Sequence, residues 1–174
     1  RFYDAPDGSI KIDGRDIKDF TLKSLRRSIA YAPQDNFLFN DTIANNIAFG
    51  NEYDDEVSKF ASMADVDGDI TAFKDGYNTV LGERGVTVSG GQKQRISMAR
   101  AFYKQAPVLI LDDSVSAVDT ATERNILDNI KKERAGKTTL LMSHRISSVR
   151  DMDVIVYMDD GLVIGSGSHD ELYD

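Results

Sequence analysis

Pro107-Val108-Leu109-Ile110-Leu111-Asp112-Asp113 is the stretch that decides the fold. Its apolar, β-branched centre is that of a strand buried on both faces, as found inside parallel sheets. Two carboxylates close it, and ligands of open α/β sheets bind outside the carboxyl ends of the strands. An aspartate there suits Mg²⁺, a hard cation that takes oxygen ligands. Taken alone, the pair fits a solvated loop after a core strand just as well.

Working outward, Thr120 to Glu133 has helical spacing, with Ile126 and Ile130 on one face and Leu127 beside them. Thr138 to Met142 reads as a second buried strand, followed by strands at Val154 to Met158 and Leu162 to Ile164. Towards the N-terminus, Ile10 and Ile12 alternate between Gly8 and Gly14, a short strand with a turn at each end. Leu22 to Ala30 predicts an amphipathic helix running into a strand that ends near Tyr31, before Pro33 removes a backbone donor. Strands alternating with helices predict an α/β layered sheet. From Asp35 to Val88 the pattern is mostly helical and loopy, which reads as a helical insertion within one domain.

Val88-Ser89-Gly90-Gly91-Gln92 leads into a helical run containing Ile96, Ala99 and Phe102. Two glycines admit a ligand close to the backbone, and a helix N-terminus offers free N–H groups and the positive end of its dipole. Ser89 adds a hydroxyl, so the segment reads as an anion site. An ordinary helix cap has the same composition.

Composition narrows the partners. The 29 acidic residues outnumber the 21 basic ones, for a net charge of -8, and no basic stripe is present. That argues against nucleic acid as the main partner, since phosphate-backbone binding rests on clustered Lys and Arg. The absence of cysteine rules out disulfides and thiolate metal sites. No apolar run approaches the roughly 20 residues that span a bilayer. The chain opens on Arg1-Phe2-Tyr3-Asp4, which reads as the interior of a longer polypeptide.

Taken in order, these motifs resemble the ATPase domain of ABC transporters of the multidrug-exporter kind, an α/β P-loop NTPase fold. The resemblance implies that residues 1–174 are a partial domain, with a helical subdomain at 35–105 and the remaining core at 106–174. Ser89-Gly90-Gly91-Gln92 is similar to the family's signature motif, and Val108 to Asp112 to its Walker B strand. Gln34, in Ala32-Pro33-Gln34-Asp35, matches the Q-loop glutamine, and Ser116-Ala117-Val118-Asp119 the D-loop. His144, in Ser143-His144-Arg145, matches the switch histidine. Glu83-Arg84-Gly85 matches the stretch with which exporters sense their transmembrane domains.

The resemblance implies ATP and Mg²⁺ as cofactors and a role for each position. Asp112 and Gln34 would position the metal, Gln34 and Asp113 would face the attacking water, and His144 would bond the γ-phosphate. Ser89, Gly90, Gly91 and Gln92 would clamp a nucleotide held by a second ATPase domain, with Asp119 across that interface. The implied partners are that second domain and a transmembrane domain, at the cytoplasmic face of the cell membrane. His169, by contrast, is expected to be surface structure where a short C-terminal helix begins.

Two departures stand out. The phosphate loop, G-x-x-x-x-G-K-[ST], does not occur. Gly136-Lys137-Thr138 imitates its end, but Lys131 stands where the first glycine must be and a helix precedes it. In the family the loop lies just before the position of Arg1, so the 174 residues by themselves are expected to be inactive. The second departure is Asp113, where hydrolytic members carry glutamate. Aspartate stops roughly 1.5 Å short of that geometry, and such misplacement can cost about 100-fold. Heterodimeric bacterial exporters show this aspartate in their degenerate site, which implies a non-identical partner. Two other functions share these motifs: a non-catalytic nucleotide-binding regulatory subunit, and an ABC ATPase not involved in transport.

Overall fold

The computed structural model describes residues 3–49, 54–82 and 87–173. Two-residue strands β1 (Lys11–Ile12) and β2 (Arg15–Asp16) form an antiparallel hairpin. Helix α1 (Leu22–Ser28), capped by the Thr21 hydroxyl, runs directly into β3 (Ile29–Ala32). Next come α2 (Ile43–Ala48), α3 (Val57–Met63), α4 (Asp67–Thr71) and the long α5 (Gly90–Tyr103). Strand β4 (Val108–Asp112), α6 (Thr120–Glu133) and β5 (Thr138–Met142) follow, then α7 (Ile146–Val149), β6 (Ile155–Asp159), β7 (Leu162–Gly167) and α8 (His169–Tyr173). This is an α/β fold.

The functional geometry comes from a three-stranded parallel sheet in the order β3-β4-β5. Ala32 lies beside Leu111, and Asp112 beside Met142, so all three strands finish at one edge. Pro33-Gln34, Asp113 and Ser143-His144 therefore leave the sheet side by side. The β4–β5 crossover is α6, whose Ile126 and Ile130 are buried while Asp128 and Lys131 face water. Arg134, just past α6, donates to the carbonyls of Ala106, Pro107 and Thr138 and so ties the starts of β4 and β5 together. Between β3 and β4 the chain makes α2 to α5, which close over Ile43, Ile47, Val66, Ile70, Ile96 and Met98, all buried.

One strand expectation needs correction. Strand β5 is not buried on both faces: Leu140 is 51% exposed and Met142 42%. Its apolar residues match a buried strand, but among the described residues β5 pairs with β4 alone. Strand β4, which has two neighbours, buries Leu109 and Leu111 completely. The last two strands form an antiparallel pair of their own. Asp159 pairs with Leu162 across a two-residue turn in which Asp160 (φ 47) and Gly161 (φ 78) are both left-handed. Asp-Gly is the preferred sequence for that turn, because it supplies positive φ cheaply.

Candidate functional site

At the common strand edge Asp113 is the centre of the polar contacts. It takes a left-handed conformation (φ 46), which aspartate tolerates because its short polar side chain bonds locally. Its N–H donates to Met142 O at 3.1 Å, and its carbonyl accepts from Ser116 Oγ at 2.8 Å and Gln94 Nε2 at 3.2 Å. One carboxylate oxygen accepts from Gln34 Nε2 at 3.4 Å. The other, Oδ1, is buried without a hydrogen-bond partner among the described residues. Asp112 accepts from the Tyr31 hydroxyl at 2.9 Å, and that bond holds the Tyr31 phenol above its ordinary pKa. Gln34 and Asp113 are thus in contact, with Asp112 adjacent.

The signature segment begins α5. Ser89 is its N-cap: Gln92 N–H donates to Ser89 Oγ at 3.2 Å, while Gln92 Oε1 accepts from Ser89 N–H at 3.0 Å. Both halves of a capping box are therefore made, as the cap reading required. The Ser89 hydroxyl accepts the cap bond and keeps its own proton available to an outside acceptor. Ser89 and Gly90 are exposed, and a Cβ on Gly90 would meet nothing within 4 Å. At Gly91 a Cβ would reach Ala117 O at 3.4 Å, so the signature helix lies directly against the D-loop.

Two side chains that the sequence did not single out hold that loop. Gln94 is 3% exposed and bridges it, donating to Asp113 O and accepting from Ala117 N–H at 3.2 Å. From the other side Arg145 donates to Ser116 O at 2.7 Å and Val118 O at 3.4 Å, and pairs with Glu123 at 2.6 Å. Glu123 is 3% exposed and also accepts from Ser148 Oγ. Polar residues in a helix interior or beside a histidine carry no sequence signal for such bridging.

The remaining candidates are placed plainly. His144 leaves β5 exposed, next to Arg145, with no hydrogen-bond partner among the described residues. Asp119 caps α6, accepting from Thr122 N–H at 3.1 Å and Ala121 N–H at 3.0 Å; these bonds, the Thr122 one foremost, keep its carboxyl below the usual range. No hydrogen bond joins Ser89 to Gln34, Asp112, Asp113 or His144 among the described residues. The signature thus does not bond to the carboxylate centre of its own chain. His169 begins α8 and stacks on Tyr173 at 5.8 Å. Lys137 N–H closes a turn onto Arg134 O after α6, so Gly136-Lys137 follows a helix. Glu83-Arg84-Gly85 lies outside the described residues. No helix among them is long and apolar enough to cross a membrane.

The family model for ABC transporters matches residues 1–116. The chain belongs to the ABC transporter family. It is 46% identical over 174 residues to ATP-binding cassette sub-family B member 6 of Xenopus tropicalis, covering 99% of this chain and 20% of that protein. With an ATP-dependent lipid A-core flippase of Hahella chejuensis it shares 46% identity over 177 residues, covering 100% of this chain and 30% of the flippase. A solved bacterial Atm1-family ABC exporter with ATP bound superposes with a TM-score of 0.92 at 42% identity, over 99% of this chain and 31% of that one. The fold is accordingly that of an ABC exporter's ATPase domain, a P-loop NTPase. The chain spans 20 to 30% of the length of these curated relatives.

A divalent cation fits the donor set in part. The Asp112 carboxylate and the Gln34 amide, whose nitrogen is turned to Asp113, supply oxygen atoms, and Oδ1 of Asp113, without a partner among the described residues, is left to accept from a bound water. No group of three or more His, Asp or Glu among the described residues could hold a metal unaided. The missing ligands would come from elsewhere, as they do where substrate phosphates complete Mg²⁺ coordination.

Proposed function

We propose that this chain belongs to an exporter at the cytoplasmic face of a membrane, where ATP binding and hydrolysis drive transport. It would act with a transmembrane domain and a second, non-identical ATPase domain. The observation that carries this reading is the strand register that delivers Gln34, Asp112 and Asp113, and His144 to one edge. Asp112 and Gln34 would hold Mg²⁺, which neutralises phosphate charge. Gln34 and Asp113 would orient the attacking water, and His144 would donate to the γ-phosphate. Catalysis in such sites rests on positioning and charge stabilisation. Ser89, Gly90, Gly91 and Gln92 would receive the partner's nucleotide, and Asp119 would lie near it, at the dimer interface.

The short Asp113 side chain makes this chain's own site the slow one and the partner's site, closed by this chain's intact signature, the competent one. In the full transporter, His144→Ala and Asp112→Asn should weaken nucleotide trapping at this site while most turnover survives. Loss of turnover as complete as that from matching changes in the partner would overturn the assignment. Asp113 also favours a second reading, a subunit that regulates by occupancy alone. A single-turnover measurement at this site separates the two: hydrolysis at any rate above solution excludes the second.

A further inference from the structure

Asp69, on α4, lies outside every motif, yet its carboxylate holds two side chains of the signature helix at once. Oδ1 accepts from Gln92 Nε2 at 3.0 Å, and Oδ2 pairs with Arg95 Nη1 at 2.8 Å. The ion pair is largely sheltered, with side-chain exposures of 33% for Asp69 and 15% for Arg95. Both gripped residues reach back to the start of the helix. Gln92 Oε1 accepts the Ser89 N–H, and Arg95 Nε donates to Gly91 O at 3.3 Å. Arg95 also donates to Asp65 O, just before α4.

A free glutamine amide can turn either end towards a backbone N–H, and only its oxygen can accept from one. Because a carboxylate accepts only, Asp69 forces the Gln92 Nε2 towards itself and the Oε1 towards Ser89. We infer that Asp69 is a positioning residue for the signature motif: it fixes the Gln92 amide and the Arg95 guanidinium, and through them the backbone of Ser89 and Gly91. The inference rests on the proposed role of the signature towards a partner's nucleotide. It places the control of that motif in α4, so a shift of α4 would be felt at Ser89.

The test uses the complete transporter with its partner. Asp69→Ala and the isosteric Asp69→Asn are compared with wild type for steady-state ATPase activity, and for ATP binding without Mg²⁺, where hydrolysis does not follow. Losing a charge-assisted bond at this point should lower kcat about tenfold, with the binding constant for ATP within about twofold of wild type. Asp69→Asn should fall between, because its amide oxygen still accepts from Gln92. Adding Arg95→Ala to Asp69→Ala should cost less than the sum of the two single losses, as the two act in one chain of bonds. Binding and turnover falling together, or additive losses in the double variant, would show a merely structural role and overturn the inference. Gly91→Asp is the control for the underlying reading. Full activity in that variant would sink the reading of the signature itself, whereas its inactivation beside an unaffected Asp69→Ala would sink only the inference.

Discussion

Arg145→Ala should be among the most destabilising single changes at this site, although Arg145 is half-exposed at the surface. Its side chain pairs with Glu123 and donates to the carbonyls of Ser116 and Val118. Glu123 is 3% exposed, so removing the guanidinium leaves a buried carboxylate with Ser148 Oγ as its remaining side-chain donor. Breaking a buried ion pair from one side costs about 3–5 kcal/mol. Arg145 keeps 40% of its side chain in water, which screens the pair and points to the lower end, about 3 kcal/mol. For a domain of this size that is a fall in Tm of about 6–12 °C. Glu123→Gln removes the charge but keeps an oxygen to accept from Arg145, while its Nε2 can donate to the Ser148 hydroxyl, and should cost only about 1 kcal/mol. Combined with Arg145→Ala, it removes the stranded charge, so the double variant should melt above Arg145→Ala alone. Calorimetry of the complete ATPase domain measures all three. Equal losses from the two single variants, or a double variant that melts below both, would refute the reasoning.

Other changes test other links. Gln94→Leu keeps the volume but deletes two hydrogen bonds; Asp113 O retains Ser116 Oγ and exposed Ala117 can turn its N–H to water. The cost should be about 2 kcal/mol by urea unfolding, and a loss under about 0.5 kcal/mol would mean that the bridge does not form. Asp119→Asn tests the α6 cap through pH. The folded carboxyl sits below its ordinary value of 3.8, so its contribution is present above that value and lost as pH falls through the folded one. The gap in Tm between wild type and Asp119→Asn should close on acidification below about pH 4; a gap constant from pH 7 to pH 2 would contradict the cap's charge dependence.

Much of the scaffold was legible because local signals and tertiary demands agree. The helix Thr120–Glu133 and the strand Thr138–Met142 fall where spacing and β-branching predicted. Ser89 caps α5 as its position before two glycines suggested. What failed was context. Leu140 and Met142 are apolar in either a central or an edge strand, so burial depends on neighbours that the sequence does not name. The Asp160-Gly161 turn did carry a hairpin signal, and it separates β6 and β7 from the parallel sheet. Gln94, Arg145 and Asp69 were silent because their roles depend on contacts spanning 19 to 29 residues, made at the strand edge by the first two and on α5 by Asp69.

The central claim is that this chain contributes more through its signature than through its own catalytic carboxylate. Gly91→Asp would place a negative charge where a helix N-terminus favours an anion, beside the γ-phosphate that the proposed function assigns to the partner. Asp113→Ala removes a carboxylate that, on the proposed function, is already too short for the attacking water. The direct measurement is steady-state ATPase activity at saturating ATP, with each variant purified alongside the wild-type partner. The account predicts that Gly91→Asp nearly abolishes turnover while Asp113→Ala reduces it only modestly. Equal losses, or a larger loss from Asp113→Ala, would place the competent site on this chain and contradict the account.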